Sequence, residues 1–293
     1  MDYSLRELEC FVAVAEELSF TRAAHKLRLA QPPLSRHVRA LEEKLGTALF
    51  TRDGRKVTLT PAGALFYEET RSVLPQLVRA GEATRRFGLG QTVCLRLGFV
   101  SAVLSPELVE TLRHFRERYP GVQLKMQDAP PADQIDALRR GDLDGGFVGL
   151  QPHQPTPGVQ FIPWRKEPLA VFVPFGHPLA SRTDLAIRDL AKEALVAVSS
   201  EAAPAFARYL RELCGAAGFR PRIVLESPRA QAVAVMVAAG AGIALLPASL
   251  ARVVGNAVAV IPLKRAPAIT HVFARSAGTP SPAVKQFMAV LQA

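Results

Sequence analysis

The chain has 293 residues, of which 49% are hydrophobic, 21% charged and 7% aromatic. That mixture excludes a disordered, collagenous or low-complexity chain, and the length suits two or three domains of roughly 100–200 residues each. Lys and Arg together number 36 against 26 acids, a net charge of +10, which favours a polyanionic partner over an acidic one. From the N-terminus, Leu5, Leu8, Phe11, Val12 and Ala15 recur at helical spacing and predict an amphipathic helix over residues 4–17. Ser19 is placed to cap the next helix, whose inner face of Ala23, Ala24 and Leu27 lets a neighbour approach closely. Residues 28–30 lead to a third helix. There Leu34, Val38 and Leu41 face inward, leaving Gln31, Pro32, Ser35, Arg36 and Arg39 outside. Pro32 and Pro33 suit its first turn and Gly46 its end.

Two short helices, a tight turn and a polar, basic outer face make a helix-turn-helix. Arg36 and Arg39 suit guanine and Gln31 adenine, while Pro32, Pro33 and Ser35 permit close approach to a major groove. Thr21 and Arg22, early in the second helix, join them as candidate DNA contacts. Residues 49–52 and 56–60 then flank Asp53-Gly54 as a hairpin with Val57 and Leu59 turned inward. Arg52, Arg55 and Lys56 make this hairpin a basic wing for gripping phosphates. Between residues 19 and 61, nine basic side chains stand against three acids, so +6 of the net charge lies in this module.

The stretches FVAVAEELSFTRAAHKL, AQPPLSRHVRALEEKLGTALFTR and LTPAG, within residues 5–63, resemble the winged helix-turn-helix of LysR-type transcriptional regulators. The AQPPLSR form is similar to the branch that controls aromatic-compound catabolism. Ala30 stands where most members of that family carry Ser or Thr as the cap of the recognition helix. The missing hydroxyl is expected to cost about 0.5–2 kcal/mol of local stability.

Thr60-Pro61 opens a long helix. Along it Phe66, Thr70, Val73, Leu77, Ala80, Thr84 and Phe87 alternate steps of four and three. That heptad seam predicts pairing with another chain through Phe66, Val73, Leu77, Ala80 and Phe87. The resemblance favours the same dimer over a helix packed on its own domain. Pro75 is expected to kink the helix, and Gly88-Leu89-Gly90 to end it.

Beyond residue 92 the period changes. Strands are predicted at 95–99, 122–126, 144–148, 170–173, 195–198, 223–225, 243–246 and 272–274, and helices at 105–118, 132–140, 204–217, 229–239 and 282–291. Alternating strands and helices argue for an α/β fold with a mostly parallel sheet. The matching stretches GDLDGGFVGL, GHPLA and AAGAGIALLPAS are similar to the two-lobed, periplasmic-binding-protein-like effector domain of the LysR family. The expected plan is a winged helix-turn-helix over residues 1–60, a dimerising linker helix over 61–90 and an effector domain over 91–293. Its first lobe takes residues 91–162 and 268–293, and its second 163–267.

Ligands of such folds bind at the carboxyl ends of the strands, between the lobes. The loops there supply Ser101 and Ala102 ahead of a helix N-terminus, Pro131, Ser199, Ser200, Phe206, Ser227 and Arg229. Hydroxyls and one arginine suit a carboxylate, and Phe206 suits an aromatic body; ordinary helix capping competes for Ser101, Ser199 and Ser227. The resemblance supports Ser101, Ser199, Ser200 and Phe206, while Pro131 replaces a common threonine and so counts against a benzoate- or muconate-like effector.

Enzyme signatures are missing: there is no G-x-S-x-G elbow, no H-E-x-x-H and no Walker loop. Six histidines and three cysteines are too scattered for a metal site or a disulfide framework, which fits a reducing cytosol. No signal peptide or uninterrupted apolar span appears. A sequestering solute-binding protein leaves the basic module unused, and an architectural DNA-binding protein needs no cleft. The reading is a cytoplasmic, ligand-responsive LysR-type regulator without cofactor. Its partners are promoter DNA, a small-molecule effector, itself as dimer or tetramer, and RNA polymerase if it activates.

Overall fold

The computed structural model describes residues 3–53, 56–71, 73–88, 93–265 and 267–292. Contacts divide the chain into two compact units, Met1–Arg85 and Arg86–Ala293.

The first unit opens with α1 (Leu5–Glu17), α2 (Phe20–Lys26) and α3 (Gln31–Leu45). Ser4 and Glu7 start α1 as a capping box: the Ser4 hydroxyl accepts from the Glu7 N–H at 3.3 Å, and the Ser4 N–H donates to Glu7 Oε2 at 2.6 Å. Ser19 caps α2, and Gly46 ends α3 in the left-handed region at φ 68°. Leu8, Phe11, Val14, Ala23, Leu34, Val38 and Leu41 close into one core with Leu49 and Phe50. Strands β1 (Phe50–Asp53) and β2 (Lys56–Leu59) pair antiparallel as the wing. Glu42 Oε1 accepts from the N–H groups of Leu49 and Phe50 at 2.8 and 3.1 Å, so α3 holds the base of the wing.

Ala30 makes no side-chain cap at the start of α3. A cap hydroxyl serves the N–H groups of the second and third helical residues. Those residues are Pro32 and Pro33, which have no N–H. The penalty expected from the missing hydroxyl therefore does not arise. Ala30→Ser is expected to shift stability by less than about 0.5 kcal/mol in urea unfolding; a gain of a full ~1 kcal/mol would show that the hydroxyl finds another donor.

Thr60 caps α4 (Pro61–Thr70) by accepting from the Gly63 N–H at 2.9 Å. A Cβ on Gly63 would stand 2.0 Å from the Leu49 carbonyl oxygen, so α4 rests directly on the backbone that leads into β1. Instead of one kinked helix, the chain forms α4 and a separate α5 (Val73–Gly88). Pro75 falls in the first turn of α5. Its ring excludes a helical carbonyl four residues back, at Arg71, where α4 stops.

The second unit begins with β3 (Val93–Phe99), α6 (Pro106–Arg118), β4 (Val122–Asp128), α7 (Pro131–Arg140) and β5 (Gly145–Leu150). They form a first lobe in which β3 pairs parallel with β4 and β5. The 16-residue β6 (Val159–Pro174) then crosses to a second lobe. That lobe holds β7 (Ala194–Val198), α8 (Pro204–Ala216), β8 (Arg222–Ser227), α9 (Ala230–Ala238), β9 (Ala244–Pro247), α10 (Ala251–Val254) and β10 (Val258–Pro262). Strand β11 (Ala268–Ser276) crosses back, and α11 (Pro282–Leu291) completes the first lobe, where Phe287 packs on Phe115, Phe147 and Phe273.

Residues 159–168 of β6 pair with β11, and residues 169–174 pair with β9 and β10. The expectation of a mostly parallel sheet is thus corrected: parallel pairs occur within each lobe, but β6 and β11 run antiparallel to all their partners. A chain that crosses between lobes and returns must do so in opposite directions. In the second lobe, Val171, Val173 and Leu245 pack on one face of the sheet and Phe172, Ala244 and Leu246 on the other. Cover on both faces explains the unbroken apolar runs there.

Candidate functional site

The first candidate is the outer face of α3. Gln31, Pro32, Arg36 and Arg39 are exposed there, and Pro33 and Ser35 half-buried. Gln31 Oε1 accepts from the Thr21 hydroxyl at 3.5 Å, joining the starts of α2 and α3. The basic side chains sort by partner. Lys44 lies 2.7 Å from Glu7 and Lys26 2.8 Å from Glu16, and Arg22 bonds to Glu17. All three acids belong to α1, outside the basic stretch. The hydrogen bond from Lys44 is the main reason that the Glu7 carboxyl lies below its ordinary value. Arg28, Arg36, Arg39 and Lys56 are exposed and form no ion pair among the described residues. The uncompensated charge therefore gathers on the outer face of α3, on the turn before it and on the wing. Among the basic candidates described, Arg22 is engaged in an ion pair; Arg55 and the side chain of Arg52 lie outside the described residues.

On α5, Val73, Leu77 and Ala80 are exposed in the single chain, Leu77 by 51%. Phe66 packs within its own unit, its ring 5.1 Å from that of Phe11 and 6.0 Å from that of Tyr3. The Phe87 side chain lies outside the described residues.

The second candidate is a cleft between the lobes of the second unit, enclosing about 780 Å³ with its open mouth included. Strand ends from both lobes converge on it. Val100, Ser101 and Ala102 follow β3, Asp128 to Ala132 lead from β4 into α7, and Val148 to Leu150 close β5. Opposite them stand Val198, the first turn of α8 with Phe206, Pro228 to Ala230 at the start of α9, and Leu246 and Pro247. Ile269 and His271 of β11 complete the wall. Gln134, fully buried, helps to shape the first-lobe side: its amide donates to the Ala129 and Phe147 carbonyls at 2.8 and 3.3 Å.

Of the residues expected to meet a ligand, Ser101, Ala102, Pro131, Phe206 and Arg229 line this cleft, and Ser199, Ser200 and Ser227 do not. Ser227 accepts from the Arg229 N–H at 3.4 Å and so serves the turn into α9. Ser101 lies in a single 3-10 turn (Ser101–Val103), while α6 starts later under its own cap, Ser105. The helix N-terminus expected beside Ser101 is therefore not there. Arg229 is not free either: its guanidinium is bonded to Asp128 of the opposite lobe. Two further ties cross the cleft, from the Ala132 N–H to the Ala202 carbonyl at 3.2 Å and from the Ser249 hydroxyl to the Ala102 carbonyl at 3.0 Å.

Behind the wall lies a group of residues that the sequence did not flag. Glu167, 2% exposed, accepts from the Ser249 N–H at 2.6 Å through Oε1. Its Oε2 is 2.7 Å from both Arg165 Nη2 and His271 Nε2. Burial pushes this carboxyl up, but the bonds from His271 and Ser249 outweigh it and leave it below its ordinary value. Glu167 and His271 are 104 residues apart. Nothing in the sequence around either residue marks the pair. Among the described residues, no group of three or more His, Cys, Asp or Glu is placed to hold a metal ion, and no helix is long and apolar enough to cross a membrane.

Comparison with known proteins fits both parts. Residues 5–64 match the bacterial regulatory helix-turn-helix protein, lysR family, and residues 93–293 the LysR substrate binding domain. The chain is 38% identical over 246 residues to the probable cat1 operon transcriptional activator of Acinetobacter lwoffii, covering 84% of this chain and 80% of that one. It is 34% identical over 271 residues to the regulator BenM of Acinetobacter baylyi, covering 92% and 88%. Full-length CbnR, solved in complex with its target DNA, superposes with a TM-score of 0.62 at 26% identity, over 99% of each chain. With both signature domains in order and a DNA-bound relative of the same build, this chain belongs to the LysR family of bacterial transcriptional regulators.

Proposed function

We propose that the chain reads promoter DNA with α3 and the wing, and that a small molecule in the inter-lobe cleft changes this reading. The observation that carries the proposal is one chain holding both a face of unpaired cations and an apolar, two-lobed cleft. Arg36, Gln31 and Ser35 read or abut bases, supported at the groove edge by Thr21, Pro32, Pro33 and Arg39. Arg22, Arg52, Arg55 and Lys56 grip phosphates; for Arg22 this requires leaving Glu17. Val73, Leu77, Ala80 and Phe87 form the seam of a dimer, alone or as the unit of a tetramer, with Phe66 at the junction to the module's core. Residues 1–60 act as reader, 61–90 as coupling helices, and 91–293 as sensor, with lobes at 91–162 plus 268–293 and at 163–267.

The effector lies against Ser101, Ala102, Pro131, Phe206 and Arg229, with Ser199, Ser200 and Ser227 shaping the loops behind. The protein works in the cytoplasm as an activator that contacts RNA polymerase, and it is not an enzyme. By linkage, effector and DNA alter each other's affinity by the same factor. The test uses the purified full-length protein and the DNA upstream of its own and the adjacent gene. Small molecules that raise its melting temperature are titrated while DNA affinity, bending and promoter output are followed. A shift in at least one of the three is expected; stabilising ligands that leave all three unchanged overturn the sensor role. Binding is also expected to fall steeply with salt as phosphate contacts release counterions.

A further inference from the structure

We propose that Nδ1 of His271 is a recognition atom of the cleft, accepting a hydrogen bond from a hydroxyl or N–H of the bound molecule. The proposal rests on the cleft being the effector site and specifies what that site selects. His271 is fully buried yet forms part of the cleft wall beside Ile269, two residues along the same face of β11. One edge of the ring is spent on Glu167, through Nε2 at 2.7 Å. Glu167 is a carboxylate that also accepts from Arg165 and Ser249. Nε2 therefore carries the proton and donates it. In the neutral ring, a proton on Nε2 leaves a lone pair on Nδ1, free to accept.

That second nitrogen finds no hydrogen-bond partner among the described residues. A buried acceptor without a donor is unfavourable, and a ligand bearing one relieves it once the wall parts beside Nδ1, which is closed to solvent here. The surrounding wall offers little competition. Phe206, Ile135, Leu150 and Ile269 are apolar, and Asp128 and Arg229 satisfy each other. The selected molecule has an apolar, ring-sized body and a hydrogen-bond donor on the side that meets β11. A methyl group in the same place leaves Nδ1 unsatisfied.

The experiment compares matched probes on the full-length protein by calorimetry: the three hydroxybenzoates against the three methylbenzoates, and phenol against toluene. His271→Gln is the informative variant, because its amide nitrogen still reaches Glu167 while the second ring nitrogen is gone. The expected result is about tenfold tighter binding of the hydroxyl member in at least one pair, falling below about threefold in His271→Gln with thermal stability largely kept. The Nδ1 resonance of His271, read by nitrogen NMR, is expected to move on adding the hydroxyl probe and not its methyl partner. Binding without hydroxyl preference, a preference that survives in His271→Gln, or an unmoved resonance overturns the role of His271 and leaves the cleft reading standing. Failure of every probe to bind overturns both for ligands of this class. A His271→Gln protein that unfolds leaves the wild-type preference and the resonance to decide.

Discussion

Replacing Glu167 with alanine is expected to cost about 3–5 kcal/mol of stability, because it strips a buried carboxylate from partners that stay behind. Arg165, the His271 Nε2–H and the Ser249 N–H all donate to it. Each keeps its desolvation penalty when the acceptor goes. The damage also reaches the cleft, since the Ser249 hydroxyl is one of the ties to the opposite lobe, at Ala102. The loss carries a pH signature. The folded carboxyl lies below its ordinary value of 4.5, so its contribution is complete above that value and disappears as pH falls through the folded one. Urea unfolding should therefore give the full gap between wild type and variant at neutral pH and a narrowing gap below about pH 4.5. A gap that stays constant down to acid pH would show that the ionised carboxylate is not its source.

Replacing Arg36 with alanine is expected to weaken binding to the cognate promoter by about 1–3 kcal/mol. Its guanidinium is exposed on α3 and has no internal ion pair among the described residues, so it meets DNA without first breaking a bond in the protein. Arg22 differs, because it must leave Glu17; its removal should weaken binding less. Competition assays with single-base operator variants separate two roles for Arg36. Relaxed preference at one position marks base reading, whereas uniform weakening with a salt slope smaller by about one marks a phosphate contact. Unchanged affinity removes it from the interface.

Elements governed by neighbours in sequence were legible. The capping residues Ser19, Thr60 and Gly46 and the inward periodicity of Leu34, Val38 and Leu41 placed the reading module closely. The same local rules misled at Ala30, where Pro32 and Pro33 remove the donors that a cap would serve, and at Pro75, which separates two helices. Long-range pairing was less visible. The first half of β6 holds Trp164, Arg165, Lys166 and Glu167 between prolines, a poor strand by composition. It is extended because all nine residues of β11 pair with it. The cleft loops could be named because they follow strands, but which hydroxyls face inward could not. Ser199 and Ser227 instead bond through their backbones across β7 and β8. Neither the Glu167–His271 contact nor the Asp128–Arg229 bridge has a sequence signature, since each joins residues about a hundred positions apart.

The paired crossing strands restrict the kind of signal that this sensor sends. β6 and β11 are hydrogen-bonded to each other where they pass between the lobes. The ladder splints the two crossings into one double connection, and a change of twist along it keeps the bonds. The signal expected of such a connection is a change of angle between the lobes. His271 lies at the irregularity in the β6–β11 register and also lines the cleft, so the cleft wall and the double connection between the lobes share this residue.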